Sequence, residues 1–205
     1  TILDVREDMT HQKLPRYQLN RIYLDRQLLI QRADMTITQA TERVVGWQSQ
    51  IPNPPYIGLW SRIKNFARHD LTTHMQNRQI VRCAMFRSTL HLISKDDHHR
   101  FHRAIEPALV KGLRSFHGRN IEGMDIPPVL DFARPYIEEA PRSMGEIGTH
   151  LKQIEPNREP EALNYTIRTY LPLVQVPPAG TWGAGSKATY ITAKQWLGEG
   201  ESADA

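Results

Sequence analysis

Gln48 and Gln50 flank Ser49 in the stretch Gly46-Trp47-Gln48-Ser49-Gln50-Ile51-Pro52-Asn53-Pro54-Pro55-Tyr56. Along an extended backbone side chains alternate, so these two carboxamides project to the same side. Each offers one acceptor and two donors, and a pair of them can hold a water molecule or read the edge of a base. Gln50 cannot act as a general base, so chemistry built on the pair would be a matter of positioning. The same residues also admit a plainer description. Gly46 ends a helix, and Pro52, Pro54 and Pro55 then forbid a new one before Tyr56, leaving a polar loop. On the residues alone both readings stay open.

Three further groups carry functional side chains. Arg87, Thr89 and His91 lie at and after a turn, where Arg87 suits a phosphate contact and Thr89 and His91 share a face opposite the core residues Leu90 and Leu92, a face that serves DNA or is simply solvent-facing. Arg62, Lys64 and Arg82 add positive charge nearby. Downstream, Asn164, Arg168 and Thr169 occupy a predicted third helix, the one that enters a major groove in simple helix-turn-helix proteins, and Trp182 and Lys187 belong to the Gly-rich turn of the second wing, where they are candidates for DNA-backbone contacts or else for surface solubility and wing packing. His98 and His102 are spaced i, i+4 in Asp96-Asp97-His98-His99-Arg100-Phe101-His102. No cysteine is near them, and acids opening a helix are ordinary capping, so no metal is expected.

The elements that must position these residues follow from periodicity. Residues 1–15 lack a pattern and read as a mobile or loosely docked arm. From Leu19 a helical period is clear, with apolar residues on two faces, until Arg32-Ala33-Asp34 breaks it. Thr36 can cap a second helix running to Val45. Tyr56–Ile63 predicts a short helix, and Asp70 can cap another to about Asn77. Ile80–Phe86 and Thr89–Ile93 read as two strands around Arg87-Ser88. Helices followed by a hairpin is the pattern of a winged helix.

The same grammar then repeats. Ser94 to Lys111 and Ile126 to Ile137 read as helices, Ser143-Met144-Gly145-Glu146 as a capping box, and Glu159 to Tyr170 as a third helix. Leu173–Val176 and Ala188–Thr192 are strands around the Gly-rich turn. The expected fold class is mainly α with small β wings (α+β), built as tandem winged-helix modules. Expected boundaries are an arm at 1–15, a first module at 16–94, a second at 95–197 and a disordered tail at 198–205.

Composition narrows the classes. The chain has 205 residues, 40% hydrophobic and 23% charged, which is ordinary for a globular protein. No apolar run approaches the roughly 20 residues of a membrane span. A single cysteine, Cys83, excludes an internal disulfide framework. The net charge of +4 is unevenly spread. From Arg16 to Arg87 there are eleven Lys/Arg against four Asp/Glu, and after residue 100 eleven against thirteen. The basic excess therefore lies with the two glutamines, as a phosphate-facing module requires, although a solvated basic face gives the same count. A cytoplasmic monomer is the expectation.

Four ordered motifs resemble those of the winged-helix DNA glycosylases of the AlkZ type. They are Gln48-Ser49-Gln50, Leu59-Trp60-Ser61-Arg62, Phe86-Arg87-Ser88-Thr89-Leu90-His91-Leu92 and Leu171-Pro172-Leu173-Val174-Gln175-Val176-Pro177-Pro178, and the resemblance spans Tyr17 to Leu197. It implies that Gln48 and Gln50 position the water that attacks the anomeric carbon of an alkylated nucleotide. Its further implications are double-stranded DNA carrying N7-alkylated purines as substrate, interstrand crosslinks among them, and no cofactor. A purine alkylated at N7 already bears positive charge and departs as a neutral base, so orienting the water is the main task left. Ser49 replaces a residue that is commonly small or aliphatic in the family. Full-length relatives continue into a third winged helix and a small β domain, so this chain is expected to be a fragment or a shortened member. The competing class is a non-catalytic winged-helix DNA-binding protein, a regulator or truncated paralogue, for which tandem wings and charge are equally expected.

Overall fold

The computed structural model describes residues 13–185 and 187–198. The proposed arm, apart from 13–15, and the proposed tail, apart from Gly198, lie outside the described residues. Helix α1 (Arg16–Arg26) ends before the predicted break, where Leu28 turns to φ 56°. Its apolar residues are not covered as the two-faced pattern predicts: Tyr17 is 70% exposed and Tyr23 63%. Nothing among the described residues packs closely enough on α1 to bury any of its side chains.

Helix α2 (Ile37–Arg43) begins at a Thr36–Gln39 capping box, as the Thr36 signal predicts. It closes two residues early because Val45 and Gly46 take positive φ, 59° and 90°. That turn swings the chain into the edge strand β1 (Trp47–Gln48). A Cβ at position 46 would stand 3.0 Å from the Leu92 carbonyl oxygen, so glycine serves both the backbone conformation and the close approach. Helix α3 (Pro54–Trp60) starts earlier than Tyr56. The prolines do not forbid it, since Pro54 and Pro55 fall in its first turn, where the missing N–H has no partner to lose. In α4 (Arg68–Gln76) Asp70 caps from inside the first turn, accepting the Ala67 N–H at 2.8 Å.

Strands β2 (Ile80–Ala84) and β3 (Leu90–Ser94) form the predicted hairpin. Its turn is tight, with both Arg87 (φ 55°) and Ser88 (φ 58°) left-handed. Ser94 then caps α5 (Lys95–His117), which runs two turns beyond Lys111 and accommodates Pro107. The second unit comprises α6 (Ile126–Glu139), α7 (Met144–Leu151) with the Ser143–Glu146 capping box, and α8 (Pro160–Tyr170). Strands β4 (Leu173–Gln175) and β5 (Tyr190–Thr192) follow, then a short α9 (Ala193–Leu197) that periodicity did not predict.

The two hairpins do not stand apart. Arg82 pairs with Gln175 and Cys83 with Val174, so β2 and β4 join all strands into one antiparallel sheet of order β1-β3-β2-β4-β5. One core gathers α2, α3 and α4 around Trp47, Ile80 and Leu92, and another gathers α6, α7 and α8 around Leu173. A third, formed by Val81, Cys83, Ile93, Val174 and Ile191 with Phe101 and Ile105 of α5, draws strands from both halves. Ordinary period-2 alternation accounts for this: Ile80 and Val81 point to opposite faces, and both faces are covered. No helix among the described residues is long and apolar enough to cross a membrane.

Candidate active site

The segment 47–50 alternates in burial, with Trp47 and Ser49 inside and Gln48 and Gln50 exposed on the other side. Both glutamines are therefore exposed, Gln48 on the outermost strand of the sheet and Gln50 two residues on. Trp47 anchors the strand. Its indole N–H donates to the Thr41 hydroxyl at 3.0 Å, and the ring packs beneath α3, where a Cβ at Gly58 would come within 3.2 Å. Ser49 N–H donates to the Leu90 carbonyl at 2.7 Å and extends the β1–β3 pairing by one residue.

Gln50 is tied at both ends. Its side-chain oxygen accepts the Leu90 N–H at 3.1 Å, leaving its two amide N–H groups as donors. Its backbone carbonyl accepts from Arg82 at 3.1 Å. Gln48 makes no side-chain hydrogen bond among the described residues and stands directly across from His91. Two carboxamides, one pinned and one free, thus share an exposed edge.

Arg82 is not the surface cation that its charge suggested. It is 5% exposed and turned inward, with Nε and Nη2 on the Ser49 carbonyl at 2.9 and 2.6 Å and Nη1 on the Gln175 side-chain oxygen. Nε also lies 3.2 Å from the Ser49 hydroxyl, so the serine side chain finds an internal partner here. Sequence reasoning missed Gln175, and its signal was a single polar residue inside an apolar strand run, mirrored by Arg82 in the other hairpin. Arg62 is likewise engaged. Its guanidinium donates to the carbonyls of Gln27 (2.8 Å) and Gly58 (3.0 Å) and lies over the Trp47 ring, and burial lowers its pKa.

His91 does not face solvent as the alternation implied, because the third core covers that face. It is 8% exposed, edge-on to Phe86, with Nδ1 3.0 Å from the Thr89 carbonyl. Burial lowers its pKa below the ordinary imidazole value, the Thr89 hydrogen bond opposes this, and the Arg87 charge adds to it. Thr89 is partly buried, its hydroxyl donating to Phe86 O. Arg87 and Lys64 are exposed. The first hairpin turn leans on α5, where a Cβ at Gly112 would come within 2.8 Å of Ser88 Oγ and 3.6 Å of the Tyr165 hydroxyl. Arg168 covers the ring of that same Tyr165 at 4.4 Å. Thr169 and Asn164 are turned inward, Thr169 donating to Tyr165 O.

Trp182 is not held out toward a ligand either. It meets Tyr56 edge-on at 5.6 Å, its backbone N–H donates to the Tyr56 hydroxyl, and Arg68 lies over its ring. The second hairpin turn thereby docks on the first helical unit, leaving Lys187 exposed. Burial pushes the Cys83 thiol up to about 12, so it is no nucleophile. His98 and His102 stack in parallel at 5.4 Å on α5, and no group of three or more His, Cys, Asp or Glu suited to a metal occurs among the described residues.

A family model described as DNA glycosylase AlkZ-like matches residues 41–205. The chain belongs to the AlkZ-like DNA glycosylase family. The match takes in β1, both hairpins and every helix from α3 onward, and begins inside α2, so α1 lies outside it. Among solved structures, Streptomyces sahachiroi DNA glycosylase AlkZ superposes with a TM-score of 0.69 at 16% identity. That match covers 85% of this chain and 48% of the AlkZ chain, so the present chain spans about half the length of that structure. At this identity the likeness shows a shared fold. A comparison with curated proteins gives no match.

Proposed function

We propose that the chain carries the catalytic edge of a DNA glycosylase, which hydrolyses the N-glycosidic bond of N7-alkylated purine nucleotides, with Gln48 and Gln50 positioning the attacking water. The observation that carries this reading is the exposed pair itself, held on an edge strand whose buried neighbours are fully bonded. With the Gln50 side-chain oxygen occupied by Leu90 N–H, its amide N–H is free to donate to a water. That water can donate in turn to the Gln48 carbonyl and keep a lone pair for the anomeric carbon. Neither amide removes a proton; the water's proton passes to solvent once the C–O bond forms. The alkylated base leaves with the bonding electron pair, which neutralises its own positive charge. Such a site lowers the barrier by placing water and excluding unproductive orientations.

Duplex DNA is the proposed partner. Exposed Arg87, Lys64 and Lys187, together with Arg168, are its proposed phosphate contacts, and crosslinked bases are accommodated because an edge strand is open on one side. Arg62, Arg82 and His91 are withdrawn from that role by their burial and internal bonds. The test is release of free base from duplex DNA carrying N7-methylguanine, corrected for spontaneous depurination, by the natural chain, Gln48→Ala and Gln50→Ala. The expected result is loss of about 10²-fold or more in each variant with DNA affinity retained. Binding without release by the natural chain would instead favour the non-catalytic scaffold.

A further inference from the structure

Arg82 is a buried cation whose partners are all neutral oxygens: the Ser49 carbonyl and hydroxyl, the Gln50 carbonyl and the Gln175 side-chain oxygen. It enters no ion pair with a carboxylate among the described residues. Taking a guanidinium out of water without an anion is costly, and an aliphatic side chain would fill the same space without that cost. What arginine supplies is geometry, because its donors form a rigid planar fork. Here the fork grips two successive carbonyls, at 49 and 50, and so fixes the peptide planes on either side of the Gln50 Cα. The direction in which Gln50 leaves the backbone follows from those planes.

The remaining donor reaches across β2–β4 pairing to Gln175, itself 3% exposed, in the second hairpin. Gly180 closes over the contact. With φ 80°, a Cβ there would stand 2.6 Å from the Gln175 side-chain oxygen and 2.8 Å from Arg82 Cδ, so only a glycine leaves room for the pair. We infer that Arg82 is a positioning residue for the Gln48–Gln50 pair, and that through Gln175 the second hairpin sets the geometry of an edge strand that belongs to the first.

The kinetic readout of this inference rests on the glycosylase reading, whereas its structural readout does not. Four proteins are compared: the natural chain, Arg82→Lys, Gln175→Glu and Gln175→Leu. Residue-resolved amide hydrogen exchange follows Ser49 and Leu90, whose N–H groups bond within the edge, against Val81 and Ile93 as sheet references. Single-turnover base release and DNA affinity are measured in parallel. In Arg82→Lys the expected result is exchange at Ser49 and Leu90 raised about tenfold relative to the references. Base release should fall by about 10²-fold while the Kd for DNA moves less than about twofold. Gln175→Glu keeps an acceptor for Nη1 and should match the natural chain in both readouts. Gln175→Leu should shift both in the direction of Arg82→Lys. If exchange rises equally at the references, Arg82 is a general stabiliser and the inference is overturned; unchanged exchange at Ser49 and Leu90 overturns it too. Should Arg82→Lys fail to fold, the two Gln175 variants decide alone, and a Leu variant equal to the Glu variant rejects the link. If the natural chain releases no base, the glycosylase reading fails while exchange still decides the positioning.

Discussion

Gln50 is the residue at which amide and carboxylate chemistry can be told apart. As an amide it donates and accepts without titrating, so base release by the natural chain is expected to be flat from about pH 6 to 9 once depurination is subtracted. Gln50→Glu preserves length and the acceptor for Leu90 N–H, and it adds a group able to take the water's proton. Its rate should rise with pH across the carboxylate range, near pH 4 to 5, and level off above it. A pH profile of single-turnover release checks both halves. An ionisation near neutrality in the natural chain would point to an imidazole and count against the amide pair acting alone. Ser49 is likewise engaged: its hydroxyl lies against Arg82, not in the open edge.

At the scale of elements, α5 is the structural hub, and it carries a pH liability. It follows β3 without a loop, lays Phe101 and Ile105 on the sheet and supports the first hairpin turn at Gly112. It also buries His98, whose pKa falls from 6.5 to about 3 through desolvation first, then the charges of His102 and His99. The folded chain therefore holds His98 neutral where the unfolded chain would protonate it. Its contribution is intact above about pH 6.5 and is lost progressively as pH falls toward 3, by about 1.4 kcal/mol per pH unit for one proton. His99 and His102 are shifted in the same direction. Asp97, raised mainly by burial, works oppositely, so the His98 contribution is read between about pH 5 and 6.5 as the difference between the natural chain and a His98 variant that keeps Asp97. Urea midpoints over that interval should fall with pH for the natural chain. For His98→Leu the slope should be shallower by about one proton.

The whole molecule is organised by the shared sheet. Because β2 pairs with β4, and the third core mixes Val81 and Ile93 with Val174 and Ile191, neither half buries its strands alone. Thermal unfolding is accordingly expected as a single transition with equal calorimetric and van't Hoff enthalpies. Val174→Ala, removing two methyl groups from a fully buried site, should lower stability by about 1–3 kcal/mol and shift that one transition without splitting it. Two separated transitions would show that the halves are independent and that the β2–β4 seam is incidental.

Local signals were enough to locate most of these elements. The Thr36 and Ser143 capping boxes, the Gly46 helix stop, the apolar strand runs and the Gln-Ser-Gln alternation all depend on neighbours within a few residues, and each stands within two residues of where the sequence puts it. The α+β class and the glycosylase family were legible for the same reason. Other features depended on partners far along the chain. Arg82 and Gln175 are separated by 93 positions, and only the β2–β4 register turns a supposed phosphate contact into an internal strut. His91 looked solvent-facing because period-2 alternation says which residues share a face, never whether a helix lies over it. For Trp182 backbone contact and wing packing both stayed open because nothing local says that the turn folds back on Tyr56. Backbone propensity and capping are short-range, whereas the burial of a charge or a ring is decided by which surfaces meet.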